Sequence, residues 1–272
     1  ISPFIKELDQ KYYFKNNCDF LTYHSKGWIS SDVTNILKTK GYSGCVKRIK
    51  GLNYSMEIVN EAFKISYELL NSNYKNKFII GNFFDYLIPK IIQVNFPNKI
   101  KKFELNCVHR WSSFPTSIAN KYNDNNTDWR DLLNDIFFIA SFGNSNVDKY
   151  LKNYLLSDTC KEFYINLEKS LIKLVKELDP EEIYSHLNLS YGNCKGELDL
   201  LFDDHMIEIK SSMYETSTVT NITQTLLYGH LLNKKNKKIN KISIYNILNG
   251  KMDTFDTKEF KFSKIYQAIY KN

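Results

Sequence analysis

The sequence predicts an α/β fold: a central mixed β-sheet flanked by helices, with an additional helical region at the N-terminus. Three observations predict it. Apolar residues recur at helical period through most of residues 1–178. From residue 183 the texture changes to short alternating runs separated by turn residues. In that second half a single helical segment separates two hairpin-like pairs, an order that places helices against a mixed sheet.

The elements follow in chain order. Ser30 or Ser31 can cap a helix through Val33, Ile36 and Leu37, and a second helix runs from about Ser55 to Leu70, with Ile58, Ala62, Ile65 and Leu69 on one stripe. Phe83, Phe84, Leu87, Ile88, Ile91 and Ile92 repeat the helical pattern, as do residues 128–142 and 160–178, and Asn123 to Thr127 reads as a polar loop. Ile183 to Tyr191 alternates as a strand, and Gly196–Phe202 and Met206–Ser211 form a hairpin around Asp203-Asp204-His205. Thr218 to Leu232 is a helix. Lys241 to Leu248 and Met252 to Asp256 flank an Asn249-Gly250 turn, and Phe260 to Tyr270 closes the chain as a helix. Residues 1–75 are thus expected as a helical region packed on a core of residues 76–272, which carries a helical insertion at about 100–178.

Composition narrows the class. Of 272 residues, 43% are apolar and 25% charged, with 10 Gly and 5 Pro, an ordinary globular balance. The net charge of +7 rests almost wholly on lysine, since Arg48, Arg110 and Arg130 are the only arginines. Such a balance favours polyanionic partners, although Lys and Asn are abundant throughout and mostly read as solvated faces. The five cysteines, Cys18, Cys45, Cys107, Cys160 and Cys194, form no Cys-x-x-Cys pair, which speaks against zinc or a disulfide framework and for reduced intracellular thiols. Neither a signal-peptide segment nor a membrane-length apolar run is expected. The chain begins at Ile1 rather than Met, as a trimmed chain or a piece of a longer protein would.

The stretch Gly196-Glu-Leu-Asp199 through Ile207-Glu208-Ile209-Lys210 carries the chemistry. Alternation along a strand puts Glu208 and Lys210 on one face. With Asp203-Asp204 as a two-residue turn, Leu201 pairs with Met206 and Asp199 comes opposite Glu208. A three-residue loop without a bulge would separate them. Facing carboxylates repel, and a hard divalent cation with open water positions relieves that repulsion. Lys210 beside them can orient a water or stabilise charge on a phosphate. Acid-x-Lys also occurs on ordinary solvated strands, so the surrounding residues decide. Gln224 and Tyr228, four apart on the next helix, share a face.

Taken together, Gly196/Asp199, Glu208/Lys210 and Gln224/Tyr228 resemble the PD-(D/E)XK nuclease superfamily, in the branch of RecB-type and lambda-exonuclease-like domains. These motifs lie within residues 196–228. The branch also has an upstream helix with Gly-x-x-x-Glu or Gly-x-x-x-His, matched by Gly81-Asn-Phe-Phe-Asp85, where Asp departs from the usual residue. Asp85 could equally be a solvated first-turn acid favouring the helix dipole. Glu182 and Glu197 are further acids that could serve. Trp111, Trp129 and the many Tyr and Phe could stack on bases, though at helical spacing such residues belong more often to a core.

The resemblance implies phosphodiester hydrolysis with Mg²⁺ or Mn²⁺. Asp199, Glu208 and the Ile209 carbonyl would hold metal, with Asp85 completing the shell. Lys210 would position water, and Gln224 and Tyr228 would order the substrate or Lys210. The implied partner is nucleic acid, DNA ahead of RNA, cut at ends or in single strands. No cysteine follows Cys194, so no iron–sulfur cluster is implied. Two other readings stay open: an inactive nuclease fold serving as a nucleic-acid-binding or assembly module, and an RNA endonuclease of the viral-polymerase kind.

Overall fold

The computed structural model of the chain describes residues 74–102, 114–143, 147, 149–191, 194–211, 219–247 and 251–257. The expected N-terminal helical region through residue 73, Trp111, the Asn249-Gly250 turn and the terminal helix lie outside the described residues.

The fold is a mixed α/β fold with a central sheet flanked by helices. Helix α1 spans Tyr74–Asn95 and leads to the short strand β1, Ile100–Lys102. Helices α2 (Thr116–Asn123), α3 (Leu133–Ser141), α4 (Lys149–Leu155) and α5 (Asp158–Leu178) follow, with a 3-10 turn at Trp129–Leu132. Strands β2 (Ile183–Tyr191), β3 (Cys194–Phe202) and β4 (His205–Lys210) come next. Helix α6 (Val219–Lys234) then crosses to β5 (Lys241–Asn246) and β6 (Lys251–Asp256). Among the described residues the six strands lie in sequence order; β1–β2 and β4–β5 are parallel and the other pairs antiparallel. Strand β1 differs from expectation, because it lies within the stretch read as a helical insertion and adds an edge strand beside β2. Three residues are too few to show a period.

Helix ends follow local chemistry. Ser157 caps α5 by accepting the Cys160 amide, and Asp179 closes that helix in the left-handed conformation at φ 41°. Asp128 caps the 3-10 turn by accepting the Arg130 amide at 2.8 Å.

Helices α1, α3 and α5 cover one face of the sheet. Phe83, Phe84, Leu87, Ile91, Ile136 and Leu171 pack there against Leu200, Phe202, Ile207, Ile209 and Tyr245. Trp129 belongs to this core, 1% exposed, with its indole N–H on Glu168 and the Arg130 guanidinium over its ring. It is therefore a packing residue and not a stacking platform. The alternate residues Leu201, Met206, Ile242 and Ile244 are buried on the opposite face, where α6 packs on β2, β3 and β5.

The β3–β4 hairpin turns on Asp203-Asp204, with Phe202↔His205, Leu201↔Met206 and Leu200↔Ile207 in register. Asp203 has φ 52°, a conformation Asp tolerates, and its carboxylate accepts the amides of Glu181 and Glu182 at 3.0 and 2.8 Å. The even loop keeps Asp199 and Glu208 on one side of the sheet.

Candidate active site

Strand alternation and the register bring Asp199 from β3 together with Glu208 and Lys210 from β4. Between these strands the pairing runs from the turn to Leu200↔Ile207. Beyond it the Ile209 amide donates to Asp199 Oδ2 at 2.7 Å. A side-chain carboxylate thus takes the place of a backbone carbonyl, and the strands part where the acids gather. Ile209, expected to offer its carbonyl, enters the site through its amide.

Glu208 is 1% exposed. Its Oε1 accepts from Lys210 Nζ at 2.6 Å and from Gln224 Nε2 at 3.0 Å. Its Oε2 is buried with no hydrogen-bond partner among the described residues. Glu208 is thus shielded from solvent, with Gln224 of α6 lying against it. Gln224 also donates to the Tyr228 hydroxyl at 3.3 Å, so both motif residues of α6 reach the cluster, Tyr228 through Gln224.

Asp85 comes from α1. The helix begins at Tyr74, so Asp85 is half-buried in mid-helix and is not a first-turn acid stabilised by the dipole. Pro89, four residues on, has no N–H to give to the Asp85 carbonyl. Asp85 feels the charges of Asp199, Lys210, Glu208 and Glu197.

Electrostatics define the cluster. Burial, then the Asp199 charge, pushes the Glu208 carboxyl up to about 8, against the pull of Lys210. Asp85 is held well above the usual carboxylate range by burial and by Asp199. Burial also raises Asp199, although Lys210 and the Ile209 amide oppose it. Burial alone would lower the Lys210 ammonium, but Glu208, Asp199 and Asp85 outweigh it and hold it above its ordinary value. Three acids thus share one cation, and the deficit of positive charge is met by protons or by another cation.

Glu197 faces the same group from β3, with Oε1 at 2.9 Å from His186 Nδ1 on β2. The His186 ring lies against Tyr86, one residue after Asp85, and its backbone is left-handed at φ 49°. Sequence reasoning missed His186, because nothing local marks it. Only the β2–β3 register puts it beside Glu197. Glu182 instead lies at the other end of β2 and accepts from the Tyr184 hydroxyl at 2.9 Å, away from the cluster.

The donor set suits a hard divalent ion: carboxylate oxygens, one of them buried and unpartnered among the described residues, with excess negative charge. Among the described residues, however, no group of three or more His, Cys, Asp or Glu side chains is drawn together tightly enough to hold a metal ion as it stands. Asp85, Asp199 and Glu208 act on one another's charge without forming a closed ligand shell. No helix among the described residues is long and apolar enough to cross a membrane. Compared with family models, curated proteins and solved structures, the chain matches none of them.

Proposed function

We propose that the chain is a metal-dependent nuclease of PD-(D/E)XK type that hydrolyses phosphodiester bonds in DNA, at ends or in single strands. One observation carries the reading: Glu208 is buried beside Asp199 and Asp85 with Oε2 unpartnered among the described residues, while Lys210 holds its other oxygen. Asp199 and Glu208 would hold Mg²⁺ or Mn²⁺, with Asp85 and the Ile209 carbonyl completing the set. When bound, such an ion lowers the pKa of water and neutralises charge at the phosphate.

The chain's own residues do the rest. Lys210, kept charged by its acidic neighbours, orients the attacking water and offers positive charge to the phosphoryl oxygens as water attacks phosphorus and the bond to the leaving oxygen breaks. Gln224 fixes the Glu208 carboxylate, and Tyr228 steadies Gln224. Burial against α6 keeps bulk water away, which strengthens each of these interactions.

The test is incubation of end-labelled single- and double-stranded DNA and RNA with Mg²⁺, Mn²⁺ or chelator, beside Lys210→Ala. Metal-dependent cutting of DNA, reduced roughly 10²–10³-fold in the variant, is expected. Cutting of RNA alone would move the reading to an RNA endonuclease, and no cutting of either would end it. An inactive module that binds nucleic acid is the second reading. It is favoured by the acids not being drawn into a closed ligand group among the described residues.

A further inference from the structure

We propose that Lys234, Lys235 and Lys237, laid along β2, together with the adjacent Lys238, form a track for the phosphate backbone of a single nucleic-acid strand. Helix α6 carries Gln224 against Glu208 and ends ten residues later at Lys234, about 15 Å along its axis. The chain then runs beside β2. Lys234 Nζ sits over the Tyr191 ring at 5.0 Å, Lys235 Nζ donates to the Asn188 carbonyl at 2.9 Å, and Lys237 Nζ sits over the Tyr184 ring at 5.1 Å. The three contacts step along β2 from one end to the other, a span on the order of 20 Å.

This differs from scattered surface lysine in two ways. Lys234, Lys235 and Lys238 are exposed and Lys237 is half-buried, yet among the described residues none of the four lies within ion-pair distance of a carboxylate. The Nζ atoms of Lys234, Lys235 and Lys237 instead rest on tyrosine rings and a carbonyl, which aligns these three charges in a row. The row also borders the candidate site. Asn188, which Lys235 reaches, pairs with Glu197, two residues from Asp199 on the neighbouring strand. A row of cations with no carboxylate partner among the described residues, interleaved with tyrosine, fits a chain of phosphates, and a single strand bends to follow it. That the track feeds the acidic cluster rests on the nuclease reading, but binding does not require it.

The experiment measures binding of a fluorescent oligonucleotide to the full chain in chelator, by anisotropy, across a salt series. Replacing all four lysines by Ala should weaken single-strand binding at least tenfold. It should also lower the slope of log K against log salt by about 3, because each phosphate that a lysine neutralises on a single strand adds about 0.7. Replacing the same four by Arg should restore binding. A charge-matched control replaces the exposed Lys149, Lys152, Lys169 and Lys176 on α4 and α5 by Ala and should bind as the parent does. Equal weakening in both Ala sets would mean diffuse charge and would overturn the track, as would unchanged binding in the first set or failure of Arg to rescue. Stronger effects on duplex than on single strands would overturn the single-strand assignment. Binding through the track with no cleavage under Mg²⁺ or Mn²⁺ would leave the track standing and remove the nuclease reading; cleavage without a track effect would do the reverse.

Discussion

Two buried glutamates, Glu168 on α5 and Glu208 on β4, show how differently one residue type can be used. Glu168 is 8% exposed and both oxygens are engaged: Oε1 accepts from Asn95 and from the Trp129 indole at 2.9 and 3.0 Å, and Oε2 pairs with Arg130. Its charge is matched and its lone pairs are used, so it ties α1, the 3-10 turn and α5 together. Glu208 is more deeply buried, shares one lysine with Asp85 and Asp199, and has an oxygen without a partner among the described residues. A buried charge that is fully paired belongs to the architecture, and one that is under-paired is open to chemistry.

The comparison can be broken most sharply by activity. Glu208→Gln should lower metal-dependent cleavage by on the order of 10³, equivalent to several kcal/mol of lost charge stabilisation. Glu168→Gln should leave cleavage within a few-fold, measured below its unfolding temperature. Similar losses in both would erase the distinction.

A smaller effect should be seen in stability against pH. Because folding raises the Glu208 carboxyl from 4.5 to about 8, the stability it contributes is complete below pH 4.5 and is lost as pH rises to about 8. In chelator the parent should therefore lose on the order of 3–5 kcal/mol across that window, and Glu208→Gln should flatten much of the fall. Asp85 and Asp199, raised in the same direction, should supply what slope remains. Urea titrations at several pH values give the answer, and a parent that gains stability toward pH 8 would contradict the charge deficit.

Glu168→Ala should act the other way, costing roughly 3 kcal/mol at neutral pH by leaving a guanidinium, an indole N–H and an amide without their acceptor. Arg130 is 46% exposed, so water recovers part of that loss. The smallest effect is expected at Gln224, which touches Glu208 without carrying charge. Gln224→Ala should reduce cleavage about tenfold, near 1.4 kcal/mol, with little change in melting temperature.

How much of this was legible in the sequence follows the range of the interactions. The Asp203-Asp204 turn is local, and with it came the register, the shared side of Asp199 and Glu208, and the place of Lys210. The Gln224–Tyr228 spacing is equally local and holds. Asp85 was visible as an acid near an apolar helix, but its mid-helix position was not, because Tyr74–Phe78 lack the pattern that would mark an earlier start. The Glu168 junction joins residues 38, 39 and 73 positions apart, which no spacing rule anticipates. The burial of Glu208 escaped for a similar reason: alternation gives the face of a strand but not whether a helix lies against it. His186 and the lysines along β2 likewise owe their significance to a neighbouring element.

The bond from the Ile209 amide to Asp199 Oδ2 has a further consequence, for denticity. Asp199 has one oxygen committed to the backbone, and Glu208 has one committed to Lys210 and Gln224. Each can therefore present a single oxygen to a cation, and a bidentate grip by either would require breaking a hydrogen bond that shapes the fold. Such a donor set disfavours large ions that gather six to eight oxygens through bidentate carboxylates, and favours a small octahedral ion that keeps several waters. Those water positions are the ones a phosphate oxygen and a nucleophile would need.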